Sequence, residues 1–296
     1  MTMTHIEHPE DMILTGDLSV FDMLYDTATI SMKMDGMSLV WGTNPANGKF
    51  FVCTKSAFNK KKIRLCYTTD DIFTHFGHQI EVVEILSYCL KYLPRTENIY
   101  WGDWLGFGRT DVITQNTLTY VFPEAISQKL VIAPHTVVNV NEEMWDHVCS
   151  PLTEVFQDTA IIKWVQPSVD RLHTRGDAPK INTDNIKFLT DKEAAKAKVA
   201  INALIKSGQS LTSGDGSTVT DILGCPYLAN LYLLIIDIKH GIMDSLIIND
   251  APEAYLPNGQ RCEGEGYVFH SESHGSVKLV DRTEFAYANF HNGYGT

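Results

Sequence analysis

The chain has 296 residues, 44% of them hydrophobic, and 36 acidic against 24 basic side chains give a formal net charge of −12. That length can bury one large core or a core with a satellite domain, and that charge argues against a protein that coats nucleic acid through bulk electrostatics. The longest apolar candidate for a membrane span, Tyr227 to Ile238, is short and interrupted by Asn230 and Asp237.

The N-terminus is acidic and contains histidine, without the basic-then-apolar pattern of a leader. Cys53, Cys66, Cys89, Cys149, Cys225 and Cys262 are scattered with no Cys-x-x-Cys pair. They read as reduced thiols, so a cytoplasmic protein without a zinc site is expected.

In chain order, short strands at Thr29 to Ser31 and Leu39 to Gly42 flank Lys33-Met34-Asp35-Gly36. A third, rich in Phe and Val, covers Lys49 to Thr54, after a turn at Asn44-Pro45-Ala46-Asn47-Gly48. Lys55, Lys60, Lys61, Lys62 and Arg64 then crowd into ten residues. Such a run is either a solvated face or a surface that meets phosphates.

Apolar residues at Ile72, Phe76, Ile80, Val83, Leu86 and Leu90 predict one long amphipathic helix over Thr69 to Leu93, ending before Pro94. His75 and His78, three apart on that helix, lack a third ligand and read as solvated or capping histidines. Strands are expected at Ile99 to Leu105, Thr117 to Phe122 and Leu130 to Val138.

From about Asn141 to Ile248 the pattern becomes helical. Thr190-x-x-Glu193 is a capping box that opens an Ala/Lys-rich helix closing near Gly208. A second helix is expected from Val219 to His240, with Gly241 as its stop. Strands return at Gly266 to His270 and Val277 to Val280, joined by the turn segment Ser271-Glu272-Ser273-His274-Gly275. The order predicts an α+β fold whose sheets are completed by the C-terminal segment: a core of 1–140 and 255–296, with a helical insertion at 141–254.

Lys33-Met34-Asp35-Gly36 carries the sharpest chemistry. A lysine amine is a nucleophile only when neutral, which calls for desolvation or neighbouring positive charge, and a glycine beside it lets the backbone turn tightly where a side chain would obstruct. A chain this long contains some Lys-x-Asp-Gly by chance in roughly one case in fifteen, so the ordered followers matter. They are Ile99-Tyr100-Trp101-Gly102-Asp103-Trp104, then Glu265-Gly266-Tyr267-Val268, then Val277-Lys278-Leu279-Val280.

In that order the segments resemble motifs I, III, IV and V of the covalent nucleotidyltransferases, the superfamily of ATP-dependent polynucleotide ligases and mRNA-capping enzymes. The resemblance implies a ligase-type adenylation domain with antiparallel sheets. Lys33 would attack the α-phosphate of ATP, and Lys278 would neutralise charge building on it. Asp103 and Glu265 would hold ribose hydroxyls or Mg²⁺, and Lys55 would reach ribose and phosphate. Asp35 and Gly36 complete the nucleotide-binding set, with Asp35 read as structural.

Three departures stand out. Asp103 replaces the usual glutamate, Ser38 stands where many ligases have arginine, and Val280 replaces the second lysine of motif V. Arg282 would lie on the same strand face as Lys278 if that strand continues, and so could substitute. Only 18 residues follow Lys278, too few for an OB-fold, as in the OB-less RNA ligases. Tyr120 and Phe122 could stack on adenine but read as core.

A closer resemblance rests on longer runs. It begins with Thr4-His5-Ile6-Glu7-His8-Pro9-Glu10-Asp11, continues with Lys33-Met34-Asp35-Gly36, Trp41-Gly42-Thr43-Asn44-Pro45, Gly48-Lys49-Phe50-Phe51-Val52-Cys53-Thr54-Lys55-Ser56 and Asn116-Thr117-Leu118-Thr119-Tyr120-Val121-Phe122-Pro123, and closes with Lys278-Leu279-Val280-Asp281-Arg282. Together they are similar to poorly characterised tailed-phage proteins related to ATP-dependent ligases. That implies a phage origin, hence a host-cytoplasmic location, and a ligase-type catalytic core, and leaves the acceptor open; a nucleic-acid acceptor, RNA or nicked duplex, is what the ligase class leads one to expect. The alternatives are a non-catalytic nucleotide-binding or structural phage protein on the same fold and, more distantly, a GTP-dependent capping-like guanylyltransferase.

Overall fold

The computed structural model describes residues 6–141, 144, 146–172, 176–209, 211 and 217–291. Thr4 and His5, the start of the opening run, lie outside the described residues. In chain order the chain runs α1 (Pro9–Met12), α2 (Ser19–Tyr25), β1 (Ala28–Lys33), β2 (Met37–Asn44), β3 (Lys49–Cys53), α3 (Thr69–Phe76) and α4 (Ile80–Tyr92). It continues with β4 (Ile99–Phe107), β5 (Val112–Thr114), β6 (Thr119–Val121), β7 (Leu130–Val140), β8 (His147–Pro151), β9 (Ile162–Trp164) and β10 (Ser168–Arg171). Helices α5 (Asp191–Lys206), α6 (Ser217–Leu223) and α7 (Pro226–Met243) follow. The chain closes with β11 (Leu246–Asn249), β12 (Glu253–Tyr255), β13 (Arg261–Cys262), β14 (Gly266–Ser271), β15 (Gly275–Leu279) and α8 (Tyr287–His291). Helices and largely antiparallel sheets are mixed, as the α+β expectation has it at that coarse level.

Two compact units share the chain. The first is built on Met34–Gln166 with Ala251–Ala254; the second draws on His5–Lys33, Pro167–Asp250 and Tyr255–Thr296. This division differs from the expected core-plus-insertion layout, because the chain passes from one unit to the other between Lys33 and Met34. The 141–254 stretch is also not wholly helical. It carries β8 to β11 and the start of β12 as well as three helices.

In the first unit, a sheet of order β3-β2-β4-β7-β8 has β9 added in parallel to β7. Buried Leu39, Trp41, Phe51, Leu86 and Leu130 belong to its core, and the Trp41 ring stacks 5.9 Å from that of Trp164. Ile72 and Phe76 of α3 and Val83, Leu86 and Cys89 of α4 supply the helical side of that core, the i, i+3 spacing giving one apolar face. The single long helix expected over Thr69 to Leu93 is therefore two. The chain breaks at Gly77-His78-Gln79, where the Gly77 N–H closes α3 on the Phe73 carbonyl. Glycine is a poor helix former, and His75 and His78 do not share a helix.

In the second unit, β1, β14 and β15 form an antiparallel sheet in that order. The β14–β15 hairpin turns at the expected segment, with Ser271 opposite Gly275. The capping box at α5 forms as expected: Thr190 accepts from Glu193 N, and the Glu193 carboxylate accepts from Thr190 N. The second expected helix is split. Gly224 adopts φ +65°, and Pro226, lacking an N–H, opens α7 at its first turn. Gly241 lies inside α7 rather than stopping it.

Beneath these helices, Lys239 Nζ donates to Glu10 Oε1 at 2.8 Å. Arg282 Nη1 donates to Asp11 Oδ1 at 3.1 Å and to the Tyr232 hydroxyl at 3.0 Å. All five side chains are buried. Charge that deep persists only when paired.

Candidate functional site

Two of the residues singled out by motif order share one face of the second unit's sheet, and a third forms an ion pair with one of them. Lys33 pairs with Gly266 across β1 and β14, and Lys278 pairs with Val268 across β14 and β15. Partners in antiparallel register share a face, and residues two apart share it again. Lys33, Val268 and Lys278 therefore line one side, half-exposed, while Met32, Tyr267, Phe269, Val277 and Leu279 are buried on the other. His270 and Ser276 continue the polar face, with His270 Nδ1 and Ser276 Oγ 2.8 Å apart. Glu265, at the mouth of β14, forms an ion pair with Lys33. The Glu265 side chain is 12% exposed, so this pair is only partly screened by water.

The glycine that follows is a steric requirement. Gly266 takes φ +136°, and a Cβ there would come 2.3 Å from the Leu279 carbonyl oxygen. The Glu-Gly pair thus lets β15 close in and bring Lys278 toward Lys33. Burial lowers the Lys278 pKa; the Glu7 carboxylate opposes this and the Lys33 ammonium adds to it. Two cations held on one face suit a polyanion better than they suit each other.

Asp35 and Gly36 belong to the first unit. The buried Asp35 carboxylate accepts from Asn116 Nδ2 (2.7 Å), Thr117 N (2.7 Å) and Leu118 N (2.8 Å), and its own N–H donates to the Tyr120 hydroxyl at 2.6 Å. This clamps the β5–β6 turn and explains the Asn116-Thr117-Leu118 run. It agrees with a structural role for Asp35, and the fully buried Tyr120 is core. Gly36 lies against β4: a Cβ would fall 2.7 Å from the Trp104 carbonyl oxygen and 3.0 Å from Asp103 Cβ. The absent side chain makes room for the strand that carries Asp103.

Asp103 is half-buried, with Oδ2 3.5 Å from His135 Nε2. Ser38 stands opposite it on β2 and accepts from Trp101 Nε1 at 2.8 Å. His135 and Trp101 were not singled out from sequence. Their signal was available in the alternation of β4, which puts Trp101 on the face of Asp103, and in the only histidine of β7. Lys55 opens a 3-10 turn capped by Thr54, whose hydroxyl accepts from Ser56 N, and the lysine is exposed.

Arg282 requires a correction. Strand β15 ends at Leu279, and Asp281 caps a π-helical turn over Arg282–Ala286 by accepting from Thr283 N and Glu284 N. Arg282 is therefore not on the strand face of Lys278. Its Nη1 serves Asp11 and Tyr232, and its Nη2 donates to Asn202 at 2.7 Å. Val280, two residues before Arg282, is buried.

No group of three or more His, Cys, Asp or Glu side chains placed to hold a metal occurs among the described residues. A protein-made cage for zinc or calcium does not fit that set. Magnesium carried by a triphosphate does, because it keeps water and phosphate ligands and takes only one or two carboxylates; Glu265 is the carboxylate beside Lys33. No helix of the described residues is long and apolar enough to cross a membrane. A family model described as a family of unknown function (DUF6267) matches residues 3–220 and 223–293. No curated protein and no solved structure matches the chain.

Proposed function

We propose a function from the site itself, since the chain belongs to DUF6267, a family of unknown function: an ATP-dependent nucleotidyltransferase of ligase type that works through a lysyl-AMP intermediate. The observation that carries this reading is the convergence of Lys33 and Lys278, chosen by motif order alone, on one sheet face, with Glu265 in an ion pair with Lys33.

The chemistry follows from those contacts. The Lys33 ammonium first gives up a proton, and the Glu265 carboxylate in contact with it is the acceptor at hand. The free amine attacks the α-phosphorus of ATP. An N–P bond forms as the bond from phosphorus to the bridging oxygen breaks, and pyrophosphate leaves in line. Lys278 offsets charge on the α-phosphate oxygens. In the second half, an oxygen of an acceptor's terminal phosphate displaces the lysine, which recovers a proton, and AMP moves to the acceptor, RNA or nicked duplex. Magnesium on the triphosphate would stabilise the leaving pyrophosphate.

Incubation with ATP and Mg²⁺ tests this by intact mass. An AMP-sized adduct is expected on the wild type and on neither Lys33→Ala nor Lys33→Arg, whose guanidinium stays protonated. An adduct on Lys33→Ala, or one mapped to Lys55 or Lys278, overturns the assignment. GTP acting in place of ATP selects the capping-like reading. One observation favours a second reading, a nucleotide-binding phage protein without turnover: Val280 is buried and Arg282 is committed to Asp11, so motif V has a single available cation. That reading predicts bound ATP and no adduct.

A further inference from the structure

The sheet face that carries Lys33 and Lys278 runs on past both of them, and strand register sets it out in rows. Lys33, opposite Gly266, stands in the first row. Ser31 and Lys278 flank Val268 in the second, and Thr29 and Ser276 flank His270 in the third. Successive rows are two residues apart, about 7 Å along a strand. None of these side chains is a carboxylate, in a chain of net charge −12, and all of them are half-buried or exposed. All belong to the second unit.

The third row is built around one imidazole. His270 Nδ1 and Ser276 Oγ are 2.8 Å apart, so the hydroxyl occupies one ring nitrogen. No second hydrogen bond to that ring occurs among the described residues. With the hydroxyl donating to Nδ1, the ring proton lies on Nε2, the nitrogen left for a ligand. A donor held in this way from the neighbouring strand is oriented before any ligand arrives.

Direction decides what that donor meets. Displacement at phosphorus is in line, so the leaving group departs on the side opposite the nucleophile. With the α-phosphate between Lys33 in the first row and Lys278 in the second, the side away from Lys33 is the third row. We propose that His270, positioned by Ser276, binds the outer phosphates of ATP and the pyrophosphate they become. This rests on the nucleotidyltransferase reading. In the forward step the bridging oxygen leaves phosphorus with the bonding pair as the N–P bond to Lys33 forms, and His270 Nε2–H donates a hydrogen bond to the departing anion. In reverse, a pyrophosphate oxygen attacks the phosphorus of lysyl-AMP, the N–P bond breaks, the lysine recovers a proton and ATP leaves. His270 keeps its proton throughout.

Inorganic pyrophosphate and AMP, each titrated calorimetrically into the protein with Mg²⁺, test this separately, because AMP ends at the α-phosphate and pyrophosphate fills only the outer part. Intact-mass AMP loading from ATP, and its reversal by pyrophosphate, are followed in parallel. Removing the donor of a hydrogen bond to a charged group costs about tenfold or more in affinity. His270→Ala is therefore expected to weaken pyrophosphate binding about tenfold, to slow reversal at subsaturating pyrophosphate by a similar factor, and to leave AMP affinity unchanged. His270→Gln, which keeps a neutral donor, is expected to recover most of the loss. Ser276→Ala is expected to weaken pyrophosphate binding less, and to add nothing in the His270→Ala background. Wild-type pyrophosphate affinity in His270→Ala, a fall for AMP as large as that for pyrophosphate, or a wild type that binds no pyrophosphate overturns the proposal; an AMP adduct that still forms leaves the nucleotidyltransferase reading standing. Pyrophosphate binding that depends on His270 in a wild type that forms no adduct keeps the outer-phosphate site and overturns that reading instead.

Discussion

Lys278 holds the opposing demands of stability and chemistry in one side chain. Burial pushes its pKa below the ordinary lysine value of 10.5, so between the lowered folded value and 10.5 the unfolded chain binds more protons than the folded one. Stability from this group therefore rises with pH across that window and is least below it, where the ammonium is charged in both states. Lys278→Met removes the penalty and the pH dependence together. The urea midpoint at neutral pH is expected to rise, and the gain in midpoint between neutral pH and pH 10.5 to shrink. Self-adenylylation falls at least a hundredfold, the scale for losing a preorganised charge partner. A variant that is destabilised at neutral pH, or that loads AMP at the wild-type rate, counts against the role given to Lys278. Arg282 stands in contrast. Removing it leaves Asp11 charged and buried, so the effect expected is loss of fold rather than of phosphate contact.

At the scale of elements, α5 offers a clean separation of fold from site. Its capping box satisfies otherwise unpaired N–H groups at the first turn. Thr190→Ala is expected to cost about 1 kcal/mol by urea denaturation and to leave AMP loading of the folded protein unchanged. A loss of loading would tie the helix to the chemistry. The same box shows what sequence exposes well: a local hydrogen-bond pattern needs only four residues. The strands around motif I and the β14–β15 hairpin were legible for the same reason, since alternation and turn residues are local. The breaks at Gly77 and Gly224 were not, because glycine within a helical pattern is tolerated or fatal according to distant packing. The end of β15 did carry a signal. Asp281 with Glu284 three residues on marks a helical start, and it outweighed the alternation that suggested a continuing strand for Arg282. His135 is a lone histidine on β7, and its place beside Asp103 follows only from the pairing of β7 with β4.

For the molecule as a whole, the two units differ in how the chain supplies them. The first takes nearly all its residues from one uninterrupted stretch, 34–166, and its core cluster from Leu39 to Trp164 lies within it. A polypeptide of residues 34–166 is expected to unfold cooperatively in a thermal scan followed by circular dichroism. A gradual, non-cooperative loss of signal would show that the unit depends on the rest of the chain. The second unit is gathered from three separated stretches, and contacts of such long sequence separation form late because loop closure must precede them.

The pairing of β1 with β14 sets Lys33 opposite Gly266, 266 − 33 = 233 positions further along. A ribosome that has released Lys33 must therefore add more than two hundred residues before the strand beside it exists. Throughout that interval the lysine has neither its carboxylate neighbour nor the second cation. Fragments from stalled or prematurely ended translation would carry an intact Lys-x-Asp-Gly and no means of using it. Whatever reaction Lys33 supports is thus withheld until synthesis has passed the final hairpin.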